Sequence, residues 1–312
     1  MKTLIALIIL LALQERVSPD LLDYQPSGPV KGALELGPPG GFETLLTRWA
    51  DRMKAHHPDL RGGSPVAAKM STPQALTEGV VRLGIMSRRW TTEEIEDFHL
   101  AWGYHPTYFH VAGDGTTILV HPDNPLRGLQ LDQVDAAFSS TRRRGGKPVK
   151  TWGDLGVNGD WTGKPVHLVG QNKESKVRID FQARALQGGA FMEGIQELAG
   201  DDAVLAAVSE DPCAIGFVRA SSRTDGARTV PISPVEGTPA VEPQSENILA
   251  LTYPLSWRIT IAVRKGPRWP PEPEIAELLK MILSRDGQTI VAEEGLIPVT
   301  GRFAKKELSK LK

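Results

Sequence analysis

The sequence predicts an α/β fold in which short buried strands alternate with amphipathic helices. Several short runs of apolar and β-branched residues lead, through a turn, into segments whose apolar residues recur at helical spacing. The chain also has 24 prolines and 31 glycines among its 312 residues. This number indicates many short connections, as in an α/β protein, and stays below the level typical of a disordered chain.

The composition is that of a globular protein with room for one large or two medium domains. Hydrophobic residues make up 40% of the chain and charged residues 23%, which are ordinary values for a folded domain with a real core. Because the formal net charge is only −1, the whole molecule has no electrostatic attraction for nucleic acid, and we expect no such partner. Cys213 is the only cysteine, which excludes an intramolecular disulfide.

The N-terminus has the pattern of a secretory signal segment. Lys2 precedes an apolar run over residues 4–13, which is shorter than the about 20 residues that span a bilayer and has the length of a signal-peptide core. No clear small-x-small cleavage triplet follows, and no cysteine is placed for a lipid anchor. We predict a signal-like segment over residues 1–17, a linker over residues 18–32, and therefore export; a buried N-terminal helix is the alternative.

A glycine-rich turn follows the first predicted strand, residues 33–36. The turn is Gly37-Pro38-Pro39-Gly40-Gly41, and a helix is predicted after it from apolar residues at helical spacing: Phe42, Leu45, Leu46, Trp49 and Met53. Such a turn between strand and helix can bind an oxyanion through its backbone N–H groups, although a simple tight turn explains it equally well. Its spacing matches neither a nucleotide P-loop nor the dinucleotide fingerprint.

Hydroxyl side chains mark two further loops. In Ser71-Thr72-Pro73 an N-cap residue is followed by a proline in the first turn, which predicts the start of a helix. Residues 80–86 are predicted as a strand that ends at Ser87-Arg88-Arg89. A hydroxyl beside two guanidinium groups at a strand end suits an anion, and a solvated surface is the alternative.

The middle of the chain has strand patterns and several histidines. Residues 108–112 and 116–120 are two β-rich runs around Gly113-Asp114-Gly115, and residues 129–138 lead into a short helix. Four histidines lie nearby: His99, His105, His110 and His121. Their irregular spacing, without the carboxylate or cysteine pattern of a zinc motif, argues against a metal site. We expect neither a metal nor another cofactor.

The stretch over residues 151–186 contains the clearest strand–loop–helix pattern. Residues 166–169 form a short apolar run between Pro165 and Gly170, and a helical stripe begins at Ile179. The loop between them presents free backbone N–H groups and the positive end of a helix dipole, which is a favourable place for an anion. A plain surface loop is the alternative.

The C-terminal part continues the alternation and shows no catalytic motif. Helices are predicted over residues 203–208, 274–283 and 288–294, and strands over residues 213–218 and 259–263. The chain contains no GxSxG nucleophile elbow, no evident pair of carboxylates for acid–base work, and a single cysteine without an identifiable histidine partner. We therefore expect no enzymatic activity.

Eight short segments, taken in order along the chain, carry a resemblance to a known family. They are LGIMSR (83–88), WGYHPT (102–107), HPDNPL (121–126), FSST (138–141), TWGDLG (151–156), YPLS (253–256), LSRDGQ (283–288) and GLIP (295–298). In this order they resemble the phosphate-binding family of ABC-transporter substrate-binding proteins, which have the type II periplasmic binding fold. The similarity is colinear from about residue 33 to residue 300.

The resemblance implies two α/β lobes joined by two crossover strands, with lobe 1 formed by residues 33–117 and 258–312 and lobe 2 by residues 118–257. Hinge closure between such lobes is the expected motion. It also implies an exported, monomeric solute-binding protein that delivers phosphate or a related oxyanion to an ABC permease or a sensor. The alternative is an interaction or scaffold protein of the cell envelope that kept the fold and lost the anion site.

The ligand positions implied by the family are partly substituted in this sequence. They correspond to backbone groups of Gly40, Gly41 and Phe42 and to the side chains of Ser71, Thr72, Ser87, Gln171, Ser175 and Lys176. The family's first loop carries hydroxyl side chains that are missing here, and its fourth loop carries an arginine where this chain has Gln171. Positive charge could be partly restored by Lys69, Lys173, Lys176 and Arg178, although lysine lacks the bidentate fork of arginine.

Overall fold

The structure is a computed structural model that describes residues 16–65 and 70–312. The predicted signal-like segment, apart from Arg16 and Val17, lies outside the described residues, and so does Lys69. Within the described part of the chain, no helix is both long and apolar enough to cross a membrane.

Strands and helices alternate along the chain, so the predicted α/β class is confirmed. The first nine elements are β1 (Gly32–Leu36), α1 (Glu43–His56), β2 (Leu60–Pro65), α2 (Thr72–Thr77), β3 (Leu83–Met86), α3 (Thr92–Trp102), β4 (Thr107–Val120), β5 (Leu129–Gln130) and α4 (Leu131–Phe138). Two short 3-10 helices follow at Trp152–Leu155 and Gly159–Trp161.

The second half has the same alternation. Its elements are β6 (His167–Gln171), α5 (Lys176–Arg184), β7 (Gln196–Leu198), α6 (Asp201–Glu210), β8 (Ala214–Arg219), β9 (Arg228–Val230), β10 (Ile232–Ser233), α7 (Ser245–Ala250), β11 (Ser256–Val263), α8 (Pro273–Ile282), α9 (Arg285–Glu293), β12 (Ile297–Pro298), α10 (Gly301–Leu308) and the 3-10 helix Ser309–Leu311.

The chain divides into two compact units. Unit 1 contains the described residues up to Gly113 together with Arg258–Lys312, and unit 2 contains Asp114–Trp257. The chain leaves unit 1 within β4 and returns to it within β11. The lobes implied by the resemblance had their boundaries at 117/118 and 257/258.

In unit 1, parallel strands pack against the amphipathic helix α1. β1 pairs in parallel with both β2 and β3, and β11 pairs antiparallel with β3, with Thr260 opposite Met86. The apolar stripe predicted for α1 is buried: Leu45, Leu46, Trp49 and Met53. The Trp49 indole also donates to the Gly287 carbonyl at 3.1 Å, which joins α1 to α9.

In unit 2, β6 lies between β8 and β7 and runs parallel to both. The part of β4 from Thr116 onward pairs antiparallel with β8. An aromatic cluster packs against this sheet: the Phe181 and Phe217 rings stack with centroids 4.0 Å apart, and Phe138 meets both edge-on. A Cβ on Gly170 would lie only 2.7 Å from the Phe217 ring, so a glycine is required where β6 approaches this cluster.

β4 differs from its prediction. The sequence suggested two runs broken at Gly113-Asp114-Gly115, whereas the structure has one extended strand, Thr107–Val120. Neighbouring strands hold this stretch extended, because Gly113 pairs with Ile297 of β12 and Thr116 pairs with Arg219 of β8. Tertiary pairing therefore overrides the local preference of glycine and aspartate for turns.

Residues 18–32, predicted as a linker, pack against unit 1 instead. Leu21, Tyr24 and Val30 are buried, and the Arg285 guanidinium donates to the Leu21 carbonyl at 2.6 Å. The Tyr24 hydroxyl donates to Glu277 Oε2 at 2.7 Å and lies 2.7 Å from His57 Nε2. The proline and serine residues of this segment predicted a linker without tertiary contacts. Its apolar side chains instead pack into the core of unit 1.

Replacing Tyr24 with phenylalanine tests this attachment. The variant keeps the ring and removes the hydroxyl that donates to the buried Glu277 carboxylate. Burial acts to raise the pKa of this carboxyl, but hydrogen bonds from Lys280, Tyr24 and Ser27 outweigh burial and hold the pKa below its usual range. We expect a loss of about 1–3 kcal/mol in the free energy of unfolding, because a buried charged group loses a donor. Urea unfolding measures the free energy of unfolding, and Tyr104→Phe, at a half-buried tyrosine, is the control. Equal stability of the two variants would contradict the proposed contribution of the Tyr24 hydroxyl to holding residues 18–32 on unit 1.

Candidate functional site

Three loops of unit 1 meet at one edge of its sheet. β1 and β3 run parallel, so their carboxyl ends point to the same edge. The Gly37 N–H donates to the Leu83 carbonyl at 3.0 Å, and a Cβ on Gly40 would lie 3.6 Å from the Ile85 carbonyl oxygen. The glycine-rich turn after β1 is therefore seated against the end of β3, just before Ser87.

Thr72 fastens these loops together. Its hydroxyl lies 3.1 Å from the Ile85 carbonyl and 3.4 Å from the Pro38 carbonyl, and its side chain is buried. A Cβ on Gly84 would overlap the Thr72 methyl group, so the close approach of α2 to β3 requires glycine there. Thr72 was predicted as a ligand contact; in the structure its hydroxyl proton is directed at main-chain carbonyls, so it positions the loops instead.

The glycine-rich turn has the conformation that its sequence suggests. Gly40 and Gly41 have φ angles of +54° and +88°, a left-handed region that residues with a Cβ rarely adopt. The Phe42 N–H donates to the Pro39 carbonyl at 2.8 Å, and the Phe42 ring is buried. Because the turn itself uses the Phe42 N–H, the exposed Gly40 and Gly41 amides are the better placed of the three predicted backbone donors.

Ser71 and Ser87 carry the hydroxyls of the other two loops. Ser71 is exposed and caps α2 by accepting from the Gln74 N–H at 3.3 Å, which confirms the predicted N-cap. Capping uses a lone pair of the hydroxyl and leaves its proton for another acceptor. The Arg88 guanidinium, beside Ser87, is bound to Glu94 through two bonds of 2.6 and 2.7 Å, so its charge is neutralised within unit 1.

In unit 2, the predicted donors at the end of β6 are bound to one another. The Gln171 amide nitrogen donates to Asp201, and the Ser175 hydroxyl donates to the Gln171 amide oxygen. The Lys176 ammonium pairs with Asp180 one helical turn further along α5, at 2.9 Å. The structure thus brings Gln171, Ser175 and Lys176 together, but each has a protein partner.

Arg178, one of the cations expected to restore positive charge, has a structural role. Its buried guanidinium donates to the Gln171 carbonyl at 2.8 Å and pairs with Glu197 at 3.1 Å. It also lies over the Phe191 ring, 4.2 Å from the centroid. These contacts neutralise the charge of Arg178 and restrain the β6–α5 loop. Arg178 therefore fixes the position of the Gln171 backbone.

Two acidic residues near this loop were not identified from the sequence. Asp201, at the start of α6, accepts from Gln171, from the Arg219 N–H at 3.2 Å and from the Ser222 hydroxyl at 2.6 Å. Asp114 is buried, and burial raises the pKa of its carboxyl to about 6, opposed mainly by the charge of Arg219. The sequence signal that could have indicated this cluster is the predicted strand over residues 213–218, because parallel strands end at one edge of a sheet.

Comparison with known proteins identifies the fold. A family model described as the PBP superfamily domain matches residues 41–286. The structure is similar to that of a possible phosphate binding protein from Planctomyces limnophilus, with a TM-score of 0.70 at 19% identity over 90% of this chain and 98% of that one. An ABC-type phosphate transport receptor from Vibrio cholerae has a TM-score of 0.65 at 17% identity over 86% of this chain and 100% of that one. The predicted type II periplasmic binding fold is confirmed.

A relative of higher sequence identity shows to which family within this superfamily the chain belongs. The protein called "Phosphate-binding protein PstS" from Pseudomonas aeruginosa is 39% identical over 296 residues, which is 95% of this chain and 92% of that protein. A second strain of the same species has a relative with the same match. This chain therefore belongs to the PBP superfamily and, within it, to the family of the PstS proteins.

Proposed function

We propose that this protein is an exported solute-binding protein that binds phosphate or a related oxyanion and delivers it to an ABC importer or a sensor. The observation that carries the proposal is the 39% identity to the phosphate-binding protein PstS over 95% of the chain. Such a protein binds and releases its solute and performs no chemistry on it. We expect it to act in the periplasm or an equivalent exported compartment, as a monomer without a metal or another cofactor.

The loops of unit 1 support oxyanion binding. The amides of Gly40 and Gly41 and the hydroxyls of Ser71 and Ser87 follow strand ends or precede helices, where backbone N–H groups and the helix dipole favour negative charge. Thr72 and Gly84 hold these loops in place by the contacts described above. We propose Gly40, Gly41, Ser71 and Ser87 as the unit 1 contacts, with the neighbouring Phe42 contributing through its place in the turn.

The residues of unit 2 support binding by rearrangement of a small network. Gln171, Ser175 and Lys176 lie at the start of α5, a favourable place for an anion. Because Ser175 donates to Gln171 and Lys176 pairs with Asp180, we propose that an arriving anion replaces these acceptors. The Lys176–Asp180 pair joins residues one helical turn apart, and the lysine side chain is 41% exposed. Helix pairs of this spacing contribute only about 0.3–0.5 kcal/mol, which is less than the about 1.5–3 kcal/mol of a hydrogen bond to a charged group.

Direct titration of phosphate tests the proposed function. Protein stripped of bound solute by unfolding and refolding is titrated calorimetrically with phosphate, arsenate and sulfate. We expect saturable heat with phosphate and a stability increase of about 2.7 kcal/mol at 100 times the dissociation constant. No heat at millimolar phosphate would overturn the proposal.

The second candidate is an envelope scaffold that has lost anion binding. The observation that favours it is that Gln171, Ser175 and Lys176 all have protein partners in unit 2. It predicts no thermal shift with any of the three oxyanions and stable capture of a protein partner from the cell envelope. Binding of phosphate by the purified chain would exclude it.

A further inference from the structure

A groove runs between the helices α2 and α3 of unit 1. It has a volume of about 730 Å³ and is lined by side chains of both helices, among them Thr77 and Ala101. Ser71, the N-cap of α2, lines it as well. At the other end of the helices, the Trp102 indole donates to the Leu76 and Thr77 carbonyls at 3.2 and 3.1 Å. The groove therefore lies along two helices that are fastened to each other at their C-terminal ends.

The helices that form the groove are held on a packed core. Leu76 and Phe98 are fully buried in one apolar cluster, and Ile95 packs against it. The start of α3 is fixed by a capping box, in which the Thr91 hydroxyl accepts from the Glu94 N–H and the Glu94 carboxylate accepts from the Thr91 N–H. The shape of the groove is therefore preformed, which lowers the entropic cost of binding a partner.

The wall that α3 contributes is acidic. This helix has eleven residues and no lysine or arginine, and four of its side chains are carboxylates: Glu93, Glu94, Glu96 and Asp97. Glu78, directly after α2, adds a further carboxylate to the lining of the groove. Because the whole chain has a formal charge of only −1, negative charge is concentrated on this face of unit 1.

Only one of the carboxylates that line the groove is neutralised by a neighbouring cation. Arg88 binds Glu94 through two hydrogen bonds of 2.6 and 2.7 Å. The other nearby cation, Arg264, lies 4.3 Å from the centroid of the indole that ends α3. Asp97 and Glu78 have no ion pair with any residue that the structure describes. Two negative charges of the lining are thus available to a cationic partner.

An exposed leucine lies among these carboxylates. Leu100 is 81% exposed and follows Asp97 by three residues on α3, so the two side chains share one face of the helix. A single exposed leucine is ordinary on a protein surface, but this one lines a groove together with Asp97. An apolar side chain beside carboxylates in a groove suits an amphipathic, basic segment.

We infer that the α2–α3 groove is the docking surface for a basic, amphipathic helix of the importer. The inference rests on the proposed function and identifies the chemistry of the partner. Charge complementarity selects this occupant, because its lysine or arginine side chains pair with Asp97 and Glu78 while an apolar side chain covers Leu100. At 1.5 Å per residue α3 is about 16 Å long, or about three helical turns, so a short helix is enough to fill the groove.

The test measures how much purified protein is needed to drive phosphate uptake by the importer. Right-side-out membrane vesicles of the source organism, prepared without this chain, receive radiolabelled phosphate and increasing amounts of the protein, and the half-saturating protein concentration is determined. Asp97→Lys reverses a charge in the groove, and Leu100→Ser removes its apolar contact. The matched controls in unit 1 are Asp51→Lys on α1, where the side chain is 67% exposed, and Leu22→Ser, at a residue that is 82% exposed.

We expect Asp97→Lys and Leu100→Ser each to raise the half-saturating concentration by at least about fivefold, as for a residue that contributes measurably to an interface. Both controls should behave as the unmodified protein does. Added salt should raise the half-saturating concentration of the unmodified protein and of Leu100→Ser, and should affect Asp97→Lys less, because the charge attraction is already lost. Calorimetric affinity for phosphate should be unchanged in all four variants, since none of them alters a solute loop.

The outcomes separate the docking surface from the proposed function. If the unmodified protein drives uptake and both groove variants match their controls, the docking surface is overturned and the proposed function stands. Phosphate binding without any stimulated uptake would exclude the importer as the occupant and overturn the inference. Absence of phosphate binding by the unmodified protein would overturn the proposed function and the inference together. The thermal midpoint shows whether each variant is folded, and if one groove variant fails to fold, the other decides.

Discussion

Replacing Phe217 with alanine is expected to destabilise unit 2 by about 3–5 kcal/mol. Phe217 is fully buried, stacks on Phe181 with an interplanar angle of 4°, and meets Phe138 edge-on at 5.6 Å. Its ring also fills the space left by the absent side chain of Gly170. The variant leaves a cavity that two rigid rings cannot readily fill, so both the transfer free energy and the packing contacts are lost.

Urea unfolding of the purified variant measures this loss. The control in the same unit is Val235→Ala, at a side chain that is 59% exposed, where we expect a change within about 0.5 kcal/mol. Phosphate affinity should also fall, because Gly170 lies next to Gln171. A loss of less than 1 kcal/mol for Phe217→Ala would show that the ring is not part of a close-packed core.

The elements that the sequence predicted well are those with strong local signals. The stripe in α1 recurs at helical spacing, and all four of Leu45, Leu46, Trp49 and Met53 are buried as it indicates. The N-cap at Ser71 is likewise a local signal, since a hydroxyl side chain before a proline satisfies a free N–H of the first turn. Such features depend on neighbours within a few residues, so a single sequence is enough to place them.

Elements and segments that contact residues far away in the sequence were missed. β2 has the sequence LRGGSP, which carries little strand propensity, and it is extended because it pairs with β1. α10 was not predicted beyond the tail at Ile297-Pro298, yet its buried Glu307 accepts from the His110 N–H of β4 at 2.9 Å. The packed segment over residues 18–32 belongs to the same class. In each case the stabilising partner is far away in the sequence.

The predictions for the candidate site show the same difference between local and distant features. The sequence identified the loops, because strand–turn–helix patterns and the family motifs are continuous segments. It did not identify the partners of the side chains in those loops. Asp201 binds Gln171 across 30 residues of sequence, and Arg219 reaches the same edge only because β8 lies beside β6. Whether a predicted donor is available to a ligand is therefore a property of the tertiary structure.

Replacing Asp114 with asparagine is expected to stabilise the protein by up to about 3 kcal/mol at pH 8 and by less than about 1 kcal/mol at pH 4. Burial raises the pKa of this carboxyl from 3.8 to about 6, so the folded protein holds the proton more tightly than the unfolded chain. The contribution of the Asp114 carboxyl to folding stability is therefore at its full value below about pH 4. It declines as the pH rises and is lost above about pH 6. Asparagine has no charge to bury and can still accept from the Gly115 N–H, which lies 2.8 Å from the carboxyl oxygen.

Urea unfolding of both proteins at several pH values between 4 and 8 measures this difference. Asp160→Asn, at an exposed position, serves as the control, and we expect it to change stability by no more than about 0.5 kcal/mol. A stability difference that is constant with pH would contradict the buried-proton account. Destabilisation at pH 8 would show that the Asp114 carboxylate is needed to balance Arg219 and Lys176.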